Sequence, residues 1–245
     1  MTGNGPERAG YEAVIFDLGN TLVAYYTREQ WPAIWRQAID NVAACLDSLG
    51  MLRVPLDDLP ARVEAVTHER KDHRVVPMAE RLARIFKLTP DDLADGREEQ
   101  LCRRFLAPAF AAARRYEDSL PTLAKLRDMG LKTGILSNLP WGSPAALWRE
   151  ELARHGLLEA VDAFAFCVEA GFRKPAPQPF ELIMSRLGVT PEQCLFVGDD
   201  PRWDIAGPKQ IGMDAILIDR TGEHSAADGD VIDSLHQLIA RLHRT

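Results

Sequence analysis

The sequence predicts an α/β fold, a doubly wound parallel sheet interrupted by an inserted α-helical subdomain. Beyond residue 112, short apolar runs alternate with amphipathic helical stretches, the pattern of strands paired in parallel through crossover helices. Between residues 25 and 112 only helical periodicity is present. Polar residues also recur where the apolar runs end.

The first run, Ala13-Val14-Ile15-Phe16, breaks at Asp17 into the turn Leu18-Gly19-Asn20-Thr21. A carboxylate at the exit of a buried strand makes Asp17 a candidate nucleophile. In the helical stretch Trp31, Trp35, Ile39 and Val42 share one stripe, and Leu82, Ile85 and Phe86 share another. This segment reads as a helical domain of residues 25–112 set into a core of residues 1–24 and 113–245. The core resumes with a helix near 119–129, stopped by Gly130, and a strand at 132–136. Helix 144–155 and strand 163–168 follow, then helix 179–187 and strand 193–197, with Gly156 and Gly188 as the helix stops. Helix 201–211 feeds a strand at 215–218, and an amphipathic helix begins at Val231, for five strands in all.

Composition narrows the function. A chain of 245 residues with 46% hydrophobic content can bury a substantial core. The formal charge of −7 argues against nonspecific nucleic-acid binding, so any anionic ligand must be held by local groups. The first ten residues lack the apolar centre of a secretion signal, and no apolar run is long enough to span a bilayer. A cytoplasmic protein without membrane or nucleic-acid partners is expected; the oligomeric state is not legible. Cys45, Cys102, Cys167 and Cys194 lie far apart and read as reduced core thiols.

Three later strand exits carry polar groups. Gly134-Ile135-Leu136 leads to Ser137-Asn138, Phe164 to Val168 precedes Lys174-Pro175, and Cys194 to Val197 runs into Gly198-Asp199-Asp200. Singly, each reads as a turn or an exposed loop lysine. Open parallel sheets bind ligands outside the carboxyl ends of their strands, where such groups converge. Together with Asp17, and in this order, they resemble the haloacid dehalogenase-like (HAD) hydrolase superfamily over nearly the whole chain.

That resemblance implies a Rossmann-like, HAD-like core in which the helical insertion is a cap that closes over the pocket and selects the substrate. It implies a phosphatase that cleaves a small phosphorylated metabolite through an aspartyl-phosphate on Asp17. It further implies Mg²⁺ held by Asp17, Asp199 and the backbone carbonyl of Gly19, with Asp204 and, on a weaker signal, Asp200 orienting water or lysine from behind. Lys174 would neutralise the transferring phosphoryl group, while Ser137 and the backbone N–H groups after Asp17, at Leu18 and Gly19, would bond its oxygens. Thr21 is expected to hold the nucleophile's loop by hydrogen bonding. Asn138 is read either as a ligand contact or as a residue suited to an unusual turn.

Gly19 departs from the family pattern, which places there a second aspartate that protonates the leaving group and then activates water. Either the leaving group needs no protonation, as in an acyl or anomeric phosphate, or the cap or solvent supplies the acid. Within the insertion Arg28, His68 and Lys71 are candidate substrate contacts, the stretch from His68 to Arg74 otherwise reading as a solvated helix face or loop. Trp31 and Trp35 read as packing residues, and Trp141 as a candidate pocket wall. Two alternatives stay open: a metal-independent 2-haloacid dehalogenase, which also lacks the second aspartate, and a catalytically idle member that binds a phosphorylated ligand.

Overall fold

The computed structural model describes residues 10–27, 29–223 and 230–242. Strands β1 (Ala13–Phe16), β4 (Lys132–Ser137), β5 (Ala163–Phe166), β6 (Cys194–Gly198), β7 (Asp214–Ile218) and β8 (Val231–Ile232) form a six-stranded sheet in the order β5-β4-β1-β6-β7-β8. Every pairing in it is parallel. β1 is central and wholly buried, as its unbroken apolar run requires of a strand covered on both faces. From β1 the chain builds outward through β4 to β5, then returns to β6 on the other side. The change of direction opens a crevice at the carboxyl end of β1.

Helices α5 (Ser119–Asp128), α6 (Ala145–Arg154), α8 (Pro177–Leu187), α9 (Ala206–Gln210) and α10 (Leu235–Leu242) flank this sheet. Two apolar clusters fill its faces: one centred on Val14, Phe16 and Val197, the other on Ile15, Phe180 and Phe196. The four cysteines are buried and free. Among the described residues no helix is long and apolar enough to cross a membrane.

The expected segmentation differs from the structure in three places. The sheet has six strands rather than five, because Val231–Ile232 pairs with β7 before α10 begins. The apolar run after Phe166 leaves the sheet, and residues Cys167–Ala170 form a short helix, α7, whose start is closed by the Glu169 side chain accepting from Phe166 N–H. The expected helix 201–211 is a π-helical turn, Pro201–Ile205, followed by α9.

The stretch after β1 is helical, as its periodicity predicts: α1 (Trp31–Ser48), α2 (Leu59–Thr67), α3 (Met78–Phe86) and α4 (Arg97–Ala112). Two short strands, β2 (Val23–Ala24) and β3 (Arg114–Arg115), pair antiparallel where this stretch leaves and rejoins the sheet domain. Leu82, Ile85 and Phe86 are buried along α3, and Ile39 and Val42 along α1, while Trp31 is exposed. Trp35 of α1 packs edge-on against Phe105 of α4 and Trp141 of the core, at centroid distances of 5.2 and 4.4 Å. This aromatic contact joins the helices to the sheet domain.

Candidate active site

β1 delivers Asp17 to the crevice, β4 ends on Ser137, and the loop after α7 brings in Lys174. The turn after β6 supplies Asp199, Asp200 and Asp204. These residues line one pocket of about 290 Å³ together with Gly19, Asn20 and Asn138.

Lys174 lies at its floor, 2% exposed. Its Nζ donates to Asp17 Oδ1 at 2.6 Å, to Asp204 Oδ1 at 2.7 Å and to the Leu136 carbonyl at 3.1 Å. Burial disfavours the ammonium, but the two carboxylates outweigh it and hold the lysine's pKa above its usual value. Asn138 positions the lysine: its amide donates to the Lys174 carbonyl at 3.1 Å, and its Oδ1 accepts from Lys174 N–H at 2.8 Å. The sequence left Asn138 open between ligand contact and turn residue; both ends of its side chain are bound to the backbone of Lys174.

Asp17, Asp199 and Asp204 each place a carboxylate oxygen within 4.8 Å of the others. Burial, then the charge of Asp204, pushes Asp17 up to about 6, because an ammonium shared with Asp204 does not fully offset desolvation. Asp199 is pushed up to about 8 by burial and then by Asp17 and Asp204. The Asn20 side chain donates to Asp199, which has no cation at ion-pair distance among the described residues. Three carboxylates around one ammonium leave negative charge uncompensated, and oxygen donors at this spacing suit a hard divalent cation. Asp17 and Asp199 are the two more accessible from the pocket, Asp204 being only 1% exposed. Asp204 already accepts from Lys174 and, through Oδ2, from Asp200 N–H at 3.1 Å.

Asp200 turns away from this cluster. It accepts from the N–H groups of Arg202 and Trp203 and pairs with the Arg202 guanidinium at 2.8 Å, so it caps the π-helical turn that carries Asp204. The Leu18 side chain is buried, and its backbone N–H bonds the Asp17 carboxylate. Thr21 does not hold the loop through its hydroxyl as expected: that buried group has no hydrogen-bond partner among the described residues, and the residue is tied down by its carbonyl, which accepts from Arg220 at 2.7 Å. Gly19 has no left-handed backbone. A Cβ there would meet only the Tyr25 ring, at 3.8 Å.

The charged stretch from His68 to Arg74 is an exposed loop, one of the two solvated forms expected of it, and is not part of the pocket. It docks on the loop preceding Lys174, with Val75 N–H on the Gly171 carbonyl at 3.0 Å and Arg173 N–H on the His73 carbonyl at 2.8 Å. His68 and Lys71 are exposed and do not line the pocket; Arg28 lies outside the described residues. Trp141 is buried against Phe105 rather than forming a wall. The walls are instead Tyr25, Tyr26, Ala109, Pro140, Trp148 and Trp203, none of which the sequence marked. Their only signal was proximity to motif residues, in Tyr25, Tyr26, Pro140 and Trp203.

A parallel sheet with a carboxylate, a hydroxyl, a lysine and an acidic pair gathered at its strand exits defines a class of hydrolase. The haloacid dehalogenase-like hydrolase family model matches residues 11–212, and the chain belongs to that family. It is 37% identical over 111 residues to the glyceraldehyde 3-phosphate phosphatase of Methanopyrus kandleri, a match covering 45% of this chain and 46% of that one. The chain thus aligns with about half the length of this relative. Along 94% of its length it is similar to a crystal structure of a HAD phosphatase from Thermococcus onnurineus, covering 97% of that chain at 27% identity with a TM-score of 0.67. A 2-haloacid dehalogenase from Pseudomonas syringae pv. Tomato DC3000 is equally similar in fold, with a TM-score of 0.67 at 25% identity over 96% of this chain and 99% of that one.

Proposed function

We propose that this protein is a Mg²⁺-dependent phosphatase of small phosphorylated metabolites, acting through an aspartyl-phosphate on Asp17. The carrying observation is Asp199, a carboxylate held beside Asp17 with no ion-pair partner of its own among the described residues. A metal-independent dehalogenase has no use for it, because an uncompensated carboxylate next to the nucleophile only repels charge. Phosphate chemistry requires the cation it would hold. Asp17, Asp199 and the Gly19 carbonyl are the proposed ligands, and bound Mg²⁺ supplies the positive charge that lets a phosphate dianion approach a carboxylate.

In the first step an Asp17 carboxylate oxygen forms a bond to phosphorus while the bond from phosphorus to the leaving oxygen breaks, that oxygen taking a proton from solvent. Lys174 holds Asp17 Oδ1, and in this reading the other oxygen attacks. In this reading Ser137 and the Gly19 backbone, which line the pocket, bond the phosphoryl oxygens. In the second step water attacks phosphorus, the acyl-phosphate bond breaks, and inorganic phosphate leaves. Asp204 and Asn138 keep Lys174 in register throughout.

We assign the helical segment of residues 25–112 to closing the pocket, because Tyr25, Tyr26 and Ala109 line it together with the residues of the strand exits. Asp17→Asn tests the whole reading. Phosphate release should fall by roughly 10⁴-fold or more, and trapping by beryllium fluoride should disappear, while the fold is retained. Near wild-type turnover in that variant excludes the assignment.

A further inference from the structure

The pocket is divided by chemistry. Its floor is anionic, with Asp17, Asp199 and Asp204 around a lysine whose charge Asp17 and Asp204 already match. Its walls are uncharged and mostly aromatic: Tyr25 and Trp148 are buried with their rings edge-on at 5.4 Å, while Tyr26 and Trp203 are half-buried. Among the described residues lining the pocket, Lys174 is the one cation. The guanidinium of Arg202, next to the Trp203 wall, is paired with Asp200 and lies 4.9 Å from the Trp203 ring centroid.

A second anionic group on the substrate would therefore lose hydration against aromatic walls, find no unpaired cation among the described lining residues, and face the carboxylates of the floor. An uncharged leaving group meets flat ring faces that offer apolar contact at no such cost. At about 290 Å³ the pocket admits one small ligand.

We propose that this pocket selects phosphate monoesters whose leaving group is uncharged and presents a ring or apolar face, with Tyr26 and Trp203 as its specificity-determining walls, and rejects esters that carry a second anionic group. The inference rests on the phosphatase reading and narrows its substrate class. It also bears on the dehalogenase alternative, since a 2-haloacid carries a carboxylate that these walls do not match.

The test uses the full chain with Mg²⁺ and two matched pairs. sn-Glycerol 3-phosphate and 3-phosphoglycerate differ by a hydroxymethyl against a carboxylate; phenyl phosphate and 4-carboxyphenyl phosphate differ by one carboxylate. In each pair kcat/KM should fall at least about tenfold for the carboxylated ester, a penalty of about 1.4 kcal/mol. In the aryl pair this runs against intrinsic reactivity, because the carboxylate makes the better leaving phenolate. Calorimetric binding of phenylphosphonate should exceed that of 4-carboxyphenylphosphonate by a similar factor, independently of turnover. Trp203→Ala should raise KM for phenyl phosphate more than it lowers kcat. Equal turnover of both members of each pair overturns this inference alone, and Arg28→Ala and Arg202→Ala would then locate the cation responsible. A wild-type protein that releases phosphate from none of the four esters overturns the phosphatase reading and this inference with it.

Discussion

Lys174 and Asp17, 157 positions apart in sequence, meet at 2.6 Å beneath the pocket, and the lysine is bound about as closely to Asp204, at 2.7 Å. One ammonium thus orients Asp17 and screens it from the acidic turn. Neither carboxylate can lose it without facing the other.

Lys174→Met should accordingly damage both stability and chemistry. Removing one member of a buried ion pair costs about 3–5 kcal/mol, and the loss should be smaller at pH 5 than at pH 8, since protonation of Asp17 relieves the repulsion left behind. Losing a preorganised charge at the phosphoryl group should lower kcat by about 100- to 1,000-fold. Urea unfolding at the two pH values, with single-turnover rates, checks both parts. Stability independent of the lysine would mean that the carboxylates are protonated throughout.

Gly198→Ala should disturb the same network without touching a charge. A Cβ at this position would lie 2.4 Å from Asp204 Cγ and 2.5 Å from its Oδ2, so the carboxylate must move. That displacement strips a partner from Lys174 and from Asp200 N–H. We expect a loss of about 1–3 kcal/mol in stability and at least a tenfold drop in kcat. Chemical denaturation and steady-state kinetics of the variant decide it; unchanged kinetics would show that Asp204 is not needed where it stands.

The acidic cluster also sets a pH dependence. Asp17 and Asp199 are raised from 3.8 to about 6 and about 8, so the folded chain keeps protons that the unfolded chain releases. Their contribution to stability is fully present below about pH 4 and is lost as pH rises through 6 and then 8. Asp199→Asn should therefore raise the Tm of the metal-free protein, and raise it more at pH 8.5 than at pH 5. Mg²⁺ competes with these protons, so it should stabilise the wild type more at the higher pH and the variant little at either. Thermal unfolding with and without Mg²⁺ measures both. A metal effect that is equal at the two pH values, or undiminished in the variant, would remove Asp199 from the ligand set.

Much of the core and of the pocket floor was legible in the sequence, for a physical reason. In a parallel sheet covered on both faces, the apolar runs and the polar groups that end them are local signals, and Asp17, Ser137 and Asp199 each directly follow or close such a run. The walls were not legible. Trp148 lies on α6, where an aromatic residue at helical spacing reads as core, and only the tertiary fold turns it toward a cavity. Val231–Ile232 is too short for period-2 alternation to show, and Cys167 continues an apolar run after the backbone has left the sheet. The roles of Asn138 and Thr21 depended on long-range partners, Lys174 and Arg220, which no local pattern encodes.

Gly19 carries the last prediction. No side chain stands where the family's usual acid would be, and the Tyr25 ring that packs nearest bears a hydroxyl whose pKa burial and then Glu151 hold well above its usual value, which makes it a poor proton donor. The barrier should then depend steeply on the leaving group, because nothing nearby neutralises the developing alkoxide. Acyl, anomeric and aryl phosphates should turn over much faster than simple alkyl phosphates. The backbone at Gly19 is not left-handed, and a Cβ there meets only a ring carbon at 3.8 Å, so Gly19→Asp should fold with little strain. By supplying an acid it should raise alkyl phosphate turnover by about 10²-fold or more, while changing aryl phosphate turnover little. The measurement is kcat/KM across esters of graded leaving-group pKa, for wild type and variant, with chemistry shown to be rate-limiting. A shallow slope in the wild type would mean that another group already delivers the proton, and a variant that folds yet keeps the steep slope would mean that the carboxyl at position 19 does not reach the leaving oxygen.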